Sequence, residues 1–343
     1  MMHNTRKDVT IYDIANELKI SVATVSRALK DDPLVSRKTK KKISELAEKL
    51  DYRSNILARN LRSQKTNTIG VIVGKIASHF QASVISGIED VANKHGYNLI
   101  ISQSSEQYSK EEANAKTMFN NRVDGILASL ALDTKNLNHF EPFFKKDIPV
   151  IFFDRVMQHP NSSSIVINNT EAAYNATRHL IEQGCRNIIH ITAPIKQNVY
   201  IDRLKGYKRA LEEENISFKK DNIIISNLGF YDGMEAAKKI LRLKSLPDGV
   251  FAANDNCAVG CMIALKRAGI KIPGDIAFIG FNNDPVSEAV EPNLTTVNYS
   301  GYDVGKAAAQ QLISHLKGVS SISSTNTIIL KSALIIRASS LKK

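Results

Sequence analysis

The sequence predicts an N-terminal all-α helix-turn-helix headpiece and an α/β body of two lobes, each a doubly wound parallel sheet. Three observations carry this. Residues 10–50 hold three amphipathic helical stretches joined by short capped turns. From residue 68 onward, short β-branched runs alternate with amphipathic helical stretches, the pattern of parallel strands covered on both faces. Positive charge is concentrated at the start: residues 1–65 carry 15 Lys and Arg against 8 Asp and Glu, more than half of the net +12.

In the headpiece, Thr10 caps a first helix and Asp13, three residues on, completes a capping box. Ile11, Ile14, Ala15 and Leu18 give that helix one apolar face. Ser21 caps a second helix, Val22–Leu29, in which Val22, Val25 and Leu29 can face the core. Ser36 caps a third, ending near Leu50, with Ile43, Leu46, Ala47 and Leu50 inward. Ala15 is small, as two closely crossing helices require, and Val25 is placed to fill the gap between them. The turn residue that would best be Gly is Lys19. A left-handed backbone there costs Lys about 1 kcal/mol.

Three such helices suit a unit whose second helix enters the major groove of duplex DNA by its N-terminal end. Val22, Ala23 and Arg27 are then the base-edge readers. Arg27 can donate two hydrogen bonds to guanine, and the small apolar pair can touch a thymine methyl. Thr10, Ser21, Thr24 and Ser26, with the start of the third helix, suit DNA-backbone contacts that set register without carrying sequence information. Asn55–Leu61 reads as a hinge helix too short to stand alone. Asn55, Ala58 and Leu61 would engage DNA there, with Ala58 and Leu61 on one face and Leu61 as a minor-groove wedge. Plainer roles stay open: Val22 and Ala23 as packing residues, Arg27 on phosphate alone, and 55–61 as an interdomain linker. Arg62–Asn67 reads as the linker proper.

In the body, strand-like runs fall at Ile69–Val73, Asn98–Ser102, Gly125–Leu130 and Val150–Phe153. A second set follows at Ser164–Ile167, Asn187–Ile191, Asn222–Ile225, Gly249–Ala252 and Ile276–Phe281. Gln81–His95, Thr170–Gln183, Asp202–Glu214 and Asp255–Ala268 read as helices between them. In open α/β sheets, ligands bind beyond the carboxyl ends of the strands. That places Ser78, His79 and Phe80 after the first strand, and Asn254, Asp255, Asn282 and Asn283 after two late ones. Arg203 begins a helix, where an anion or hydroxyl is welcome. Aromatic faces, amides, Asp and Arg are what a polyhydroxy ligand needs. Each residue also has a structural role open to it: Phe80 as core, Asp255 as an N-cap, Arg203 paired with an acid.

Composition narrows the class further. With 43% hydrophobic residues among 343, the chain can bury a sizeable core. No tract is long and apolar enough to span a membrane, and the polar start shows no secretory signal, so a cytoplasmic protein without a membrane partner is expected. Cys185, Cys257 and Cys261 are too few and odd in number for a disulfide framework. Cys257 and Cys261, four apart, read as small buried residues rather than metal ligands. No metal or cofactor is expected. The sequence has no Gly-rich phosphate loop, nucleophile elbow or His-x-x-x-His pair, and the eight His are scattered, so no enzyme is expected.

The runs Thr10–Ala15, Ser21–Leu29, Val35-Ser36, Leu50–Tyr52 and Asn55–Leu61 resemble the lactose-repressor (LacI/GalR) family of bacterial transcription regulators. So do Ile69–Val73, Phe153–Arg155, Ala172–Leu180, Arg203 through Gly206-Tyr207, Ala253–Asp255, Gly280-Phe281 and Leu294–Thr296, across nearly the whole chain. The resemblance implies a periplasmic-binding-protein-like body with three crossings between lobes. Lobe 1 would be about 68–166 plus 298–327, and lobe 2 about 167–297 plus 328–343. The headpiece with its hinge would span 8–65 and the body 68–343. Two departures stand out. Ser54 replaces the Pro usual before the hinge, which leaves the hinge start less preorganised. Asn168, Asn282 and Asn283 stand where acidic residues are common, so a sugar-binding carboxylate does not carry over at the last two.

The resemblance implies a homodimeric repressor on a pseudo-palindromic operator, controlled by a small-molecule effector. A sugar or sugar derivative is the first expectation, held by His79, Phe80, Arg203, Asn254, Asp255 and Asn282. A purine-like ligand is the second. The absence of a heptad tail before Lys343 favours a dimer over a coiled-coil tetramer. A transport solute-binding protein fits the body but not the headpiece, and a sugar kinase or dehydrogenase lacks its motifs.

Overall fold

The computed structural model describes residues 9–52, 65–322 and 326–342. The chain divides into two compact units, Met1–Thr66 and Asn67–Lys343.

The first unit holds helices α1 (Ile11–Glu17), α2 (Val22–Leu29) and α3 (Arg37–Lys49). Its core is Ile14, Ala15, Val25, Ala28, Val35, Ile43, Leu46 and Ala47, with Ile11, Leu18, Val22 and Leu50 partly buried against it. Leu29, expected inward, is exposed, and Ala28 takes its place. Ala28 follows Val25 by three residues and stays on its face, whereas Leu29 is turned a further 100° or so around the helix. Lys19 does adopt the left-handed conformation, at φ 52°. The turn closes through the Ile20 N–H to the Ala15 carbonyl at 3.0 Å.

The second unit contains two six-stranded sheets. Lobe 1 is ordered β11-β5-β4-β3-β1-β2, with β1 Thr68–Val73, β2 Asn98–Gln103, β3 Gly125–Ala128, β4 Val150–Phe153, β5 Ser162–Ile167 and β11 Thr327–Leu330. Lobe 2 is ordered β12-β10-β9-β8-β6-β7, with β6 Ile188–Thr192, β7 Ile223–Ile225, β8 Gly249–Ala252, β9 Ala277–Asn282, β10 Thr295–Asn298 and β12 Ala333–Ile335. All pairings are parallel except β10 with β12. In each lobe the strand order reverses at one point, between β1 and β3 and between β6 and β8. Ligands of such sheets bind beside that reversal.

The chain crosses between sheets at Asn168, at Tyr299-Ser300 and at Lys331-Ser332. The run 164–167, grouped in sequence with the second set of strands, pairs with β4 and β11 in lobe 1. The last crossing falls after β11 rather than at 327/328, because Thr327–Leu330 still pairs with Ser164–Ile167. Three helix pairs cover the sheets: His79–Lys94 with Gly301–Leu316, Asn169–Glu182 with Asn198–Glu213, and Phe230–Leu241 with Asp255–Arg267. Glycine lets their backbones touch. A Cβ on Gly305 would lie 2.0 Å from the Val84 carbonyl oxygen, and one on Gly206 would lie 2.1 Å from that of Thr170. Among the described residues, no helix is long and apolar enough to cross a membrane, and no group of His, Cys, Asp or Glu could hold a metal ion.

Candidate nucleic-acid interface and interlobe site

The interface begins with α2. Burying Val25 and Ala28 turns the opposite face outward, and that face carries Ala23 and Arg27, both exposed. Val22 is half-buried against the core, so two of the three expected readers are fully presented. Ser21 holds the helix start: its Oγ accepts from the Thr24 N–H at 3.1 Å and lies 2.8 Å from the Thr24 hydroxyl. Thr10 donates both its N–H and its hydroxyl to Asp13 Oδ2 at 2.7 Å. Ser36 Oγ caps α3 through the Thr39 N–H at 3.2 Å.

The lysine-rich helix α3 presents Arg37, Lys38, Lys41 and Lys42 to solvent. Lys40 is diverted. It donates to the Asp31 carboxylate at 2.6 Å and to the Asp31 carbonyl at 2.9 Å, clamping a residue held at φ 57°. Tyr12, 60% exposed on α1, adds an aromatic hydroxyl that the sequence reading passed over. Ser54, Asn55, Ala58 and Leu61 lie outside the described residues.

The interlobe site forms where the carboxyl ends of the two sheets converge. Arg203 is its centre. Its guanidinium lies 3.6 Å from the centroid of the Phe281 ring. Its Nε donates to Asn169 Oδ1 and its Nη1 to the Ala253 carbonyl, both at 2.9 Å. Arg203 therefore bridges the ends of β8 and β9, and Asn254 and Asn282 are the next residues on each. Burial lowers its pKa, opposed by Tyr200, Asp154 and Tyr299. The expectation that Arg203 begins a helix is corrected. The helix starts at Asn198, so Arg203 lies more than one turn in, beyond the reach of the exposed N–H groups of the first turn.

Asp154 follows β4 and comes from lobe 1, at φ 59° and buried. Burial raises its pKa, while Arg155, Arg203 and the Tyr299 hydroxyl pull it down. The lobe 1 carboxylate thus lies within electrostatic reach of a lobe 2 guanidinium, while its own ion-pair contact, at 4.0 Å, is with Arg155 Nε. Beside it Arg155 makes a two-pronged ion pair with Glu106. A Cβ on Gly74, at the end of β1, would strike both partners of that pair.

The other expected residues separate into two groups. His79 is half-exposed, and its Nδ1 lies 3.3 Å from Asp284 Oδ1 in lobe 2. Asp284 also accepts from Asn256 Nδ2 at 3.2 Å. Asn254 caps the helix Asp255–Arg267 through the Cys257 N–H at 3.2 Å. Asn282 stands half-buried at φ 107°, at the mouth of the crevice. Phe80 and Asp255 are committed to the fold, against the expectation that they face a ligand. Phe80 packs on Tyr299 with ring centroids 4.6 Å apart inside the core cluster. Asp255 is fully buried, accepting from the Thr296 hydroxyl and the Asp284 N–H, both at 2.7 Å. Burial pushes its carboxyl up to about 8, opposed by the Thr296 hydroxyl and reinforced by Asp284.

Asp154 stood within the family run Phe153–Arg155 but, like Tyr299, Asp284 and the pair Gln197-Asn198, was not expected as a site residue. Asp154 had a visible signal, as a charged pair closing an apolar strand. Buried polar atoms without a hydrogen-bond partner lie on both carboxyl edges: Ser129 Oγ and Arg155 Nε in lobe 1, the latter 4.0 Å from Asp154 Oδ2, and Thr192 Oγ1 in lobe 2. Such atoms mark where polar groups of a ligand would be received.

Comparison with known proteins agrees with this arrangement. Residues 10–55 match the family described as bacterial regulatory proteins, lacI family, and residues 177–340 match the periplasmic binding protein-like domain. The chain is 34% identical over 310 residues to catabolite control protein A of Priestia megaterium, covering 90% of this chain and 93% of that protein. It is 32% identical over 308 residues to the HTH-type transcriptional repressor PurR of Vibrio atlanticus (strain LGP32), covering 90% and 92%. Among solved structures, the lac repressor dimer bound to operator and the anti-inducer ONPF aligns with a TM-score of 0.86 at 22% identity, covering 98% of this chain and all of that one. At that identity the likeness is one of fold.

Proposed function

Since the chain belongs to the LacI family of bacterial regulatory proteins and is a DNA-binding repressor controlled by a small molecule, we propose how its residues divide that work. Two copies read a pseudo-palindromic operator in the cytoplasm. Arg27 donates to guanine and Ala23 meets a thymine methyl in the major groove, with Val22 buttressing the helix from behind. Ser21, Thr24, Ser26 and the exposed cations at the start of α3 hold the phosphates, and Thr10 sets the first helix against the backbone. Asn55, Ala58 and Leu61 form the hinge in the minor groove. The chain catalyses no reaction.

The effector is a sugar or sugar derivative seated between the lobes. The observation that carries this is that the buried Asp154 of lobe 1 lies within electrostatic reach of the buried Arg203 of lobe 2, with no ion pair joining the two among the described residues. Arg203 lies against the Phe281 ring, 3.6 Å from its centroid, and among the described residues no hydrogen bond engages its Nη2. One lobe offers an acceptor and the other a donor, so a ligand with several hydroxyls satisfies both only when the lobes come together. Asn254, Asn282 and His79 line the rim. A ligand acts by preferring one lobe arrangement, and the DNA responds to that preference.

The test is a salt-dependent binding titration of the whole protein on palindromic and random duplexes. A preference for the palindrome, lost by about 5- to 150-fold in Arg27→Ala with relaxed choice at one base position, is expected from a bidentate arginine. Equal binding to every duplex would remove the operator reading. A thermal-shift screen of free sugars and nucleobases identifies the ligand class. The stabiliser found should lose its effect in Arg203→Ala.

A further inference from the structure

Helix Asn198–Glu213 belongs to lobe 2, yet its first residues are fastened to lobe 1. Gln197, the N-cap and fully enclosed, donates from Nε2 to the Ala131 carbonyl at 2.9 Å and to the Thr134 carbonyl at 3.0 Å. Asn198 works in both directions. Its Nδ2 donates to the Asp154 carbonyl at 3.1 Å, and its Oδ1 accepts from the Val156 N–H at 2.9 Å. The lobe 1 loop that receives Gln197 is braced from within its own lobe. Glu111, fully buried, accepts from the Ala131 N–H at 2.5 Å and the Thr134 hydroxyl at 2.9 Å, and lies 2.8 Å from His139 Nε2. Ala131 and Thr134 are thus held through their donors by Glu111 while their carbonyls face Gln197.

We propose that Gln197 and Asn198 form an interlobe latch, and that they are positioning residues for the effector response rather than ligand contacts. The inference rests on the regulator reading above and adds a way of setting its threshold. Asn198 grips the backbone on both sides of Arg155, beginning at Asp154, and Arg203 stands one turn further along the same helix. The latch therefore fixes the distance between the two groups that an effector would bridge. It also holds the lobes together without ligand. Effector binding then adds to an arrangement already favoured, and the strength of the latch decides how much binding energy is left to act on DNA. A bare amide against carbonyls carries no charge, so the hydrogen bonds of Gln197 and Asn198 do not themselves titrate.

The experiment needs neither operator nor effector. The three cysteines are fully buried, so thiol-reactive spin labels at Lys145→Cys in lobe 1 and Lys219→Cys in lobe 2, both exposed positions, report lobe separation in the full-length protein. Oligomers diluted with unlabelled chain keep the distance within one subunit. The parent is expected to show one narrow distance. Gln197→Ala with Asn198→Ala should add a longer one, the ratio of closed to open molecules falling at least about tenfold, since the pair loses four interlobe hydrogen bonds. Gln197→Glu is nearly isosteric and cannot donate to the carbonyls, so it should open the lobes without leaving a cavity. Hydrogen exchange supplies the second readout. The Val156 amide should exchange faster in Asn198→Ala, while the Ala131 amide, held by Glu111 inside lobe 1, should not. A distance distribution unchanged in all the variants overturns the latch. So does faster exchange throughout helix Asn198–Glu213 and both lobes, which would make these residues ordinary folding contacts. Failure of the regulator reading is seen separately, as absence of DNA preference in a protein whose lobes still separate on mutation.

Discussion

The two lobes share a strand order and a reversal point, but their carboxyl edges are built differently. Lobe 2's edge is satisfied from within along β8, β9 and β10, leaving only the Thr192 hydroxyl at the end of β6 without a hydrogen-bond partner among the described residues there: Asp255 ties the Thr296 hydroxyl to the Asp284 backbone, Asn254 caps its helix, and Arg203 is anchored on Asn169, Ala253 and Phe281. Lobe 1's edge is charged and incompletely partnered. It carries the Glu106–Arg155 pair, the buried Asp154, and unpartnered polar atoms at Ser129 and Arg155. The difference teaches that duplicated topology fixes where a site lies, while side chains decide which half is scaffold and which half waits for a partner. A rigid half and a half with unmet hydrogen-bonding capacity together suit a ligand that works by drawing the lobes together.

The largest expected effect tests what the lobes share. Gly305 in lobe 1 and Gly206 in lobe 2 each sit where a Cβ would come within 2.0–2.1 Å of a facing carbonyl oxygen. Backbone cannot give way as a side chain can, so Gly305→Val and Gly206→Val should each cost about 3 kcal/mol or more, seen as lost or early urea unfolding of the body. Tolerance of one and not the other would mean that the helix pairs are not equivalent.

Acid should find lobe 2 first. His190 is buried between Tyr207 and Phe251, its Nδ1 3.0 Å from the Phe251 carbonyl oxygen. Burial lowers its pKa from 6.5 to about 4. The folded state thus resists protonation more than the unfolded chain. The stability contributed by neutral His190 is full above pH 6.5 and is lost as pH falls from about 6.5 toward 4. A difference of that size is worth about 3 kcal/mol. His190→Phe should flatten the decline across that window, and parallel declines for both proteins would rule the histidine out. Next in size is Asp255→Asn. It puts an NH2 where an oxygen accepts from the Asp284 N–H or the Thr296 hydroxyl, and although the neutral amide sheds the desolvation cost that raises the Asp255 carboxyl to about 8, the mispaired buried donor should still lower stability by about 2 kcal/mol at neutral pH, read from the urea midpoint.

Much of this was legible in sequence where the cause is local. The capping pairs Thr10–Asp13, Ser21–Thr24 and Ser36–Thr39 follow from residue type and spacing alone, as does the strained turn at Lys19. The inner strands showed as apolar runs because both of their faces are covered. What was not legible depends on pairing at a distance. Thr327–Leu330 is a strand only because β5 lies beside it, and Ala333–Ile335 only because β10 does. The start of helix Asn198–Glu213 was missed by four residues because Gln197 and Asn198 spend their side chains on the other lobe. Phe80 and Asp255 stood at the correct strand ends. Strand ends cannot tell a side chain facing a ligand from one sealing the core, and Tyr299 and Thr296, which absorb these two, lie 219 and 41 residues away in the chain.

The smallest expected change in stability is the sharpest test of the comparison. Asp154→Asn makes the same chemical replacement as Asp255→Asn, but on the edge with unmet capacity. Asn tolerates the left-handed backbone at φ 59° as well as Asp does. Burial already disfavours the charged form of Asp154, so neutralising it removes a desolvation cost. The attractions lost in exchange are to Arg155, which keeps its two-pronged pair with Glu106, and to Arg203, which keeps its hydrogen bonds to Asn169 and Ala253. The variant should therefore unfold within about 1 kcal/mol of the parent. It should lose most of the thermal shift given by whichever free sugar stabilises the parent, because the carboxylate within electrostatic reach of Arg203 is gone. If Asp154→Asn instead lost as much stability as Asp255→Asn and kept its ligand shift, lobe 1's edge would be scaffold like lobe 2's, and the division of labour between the lobes would fail.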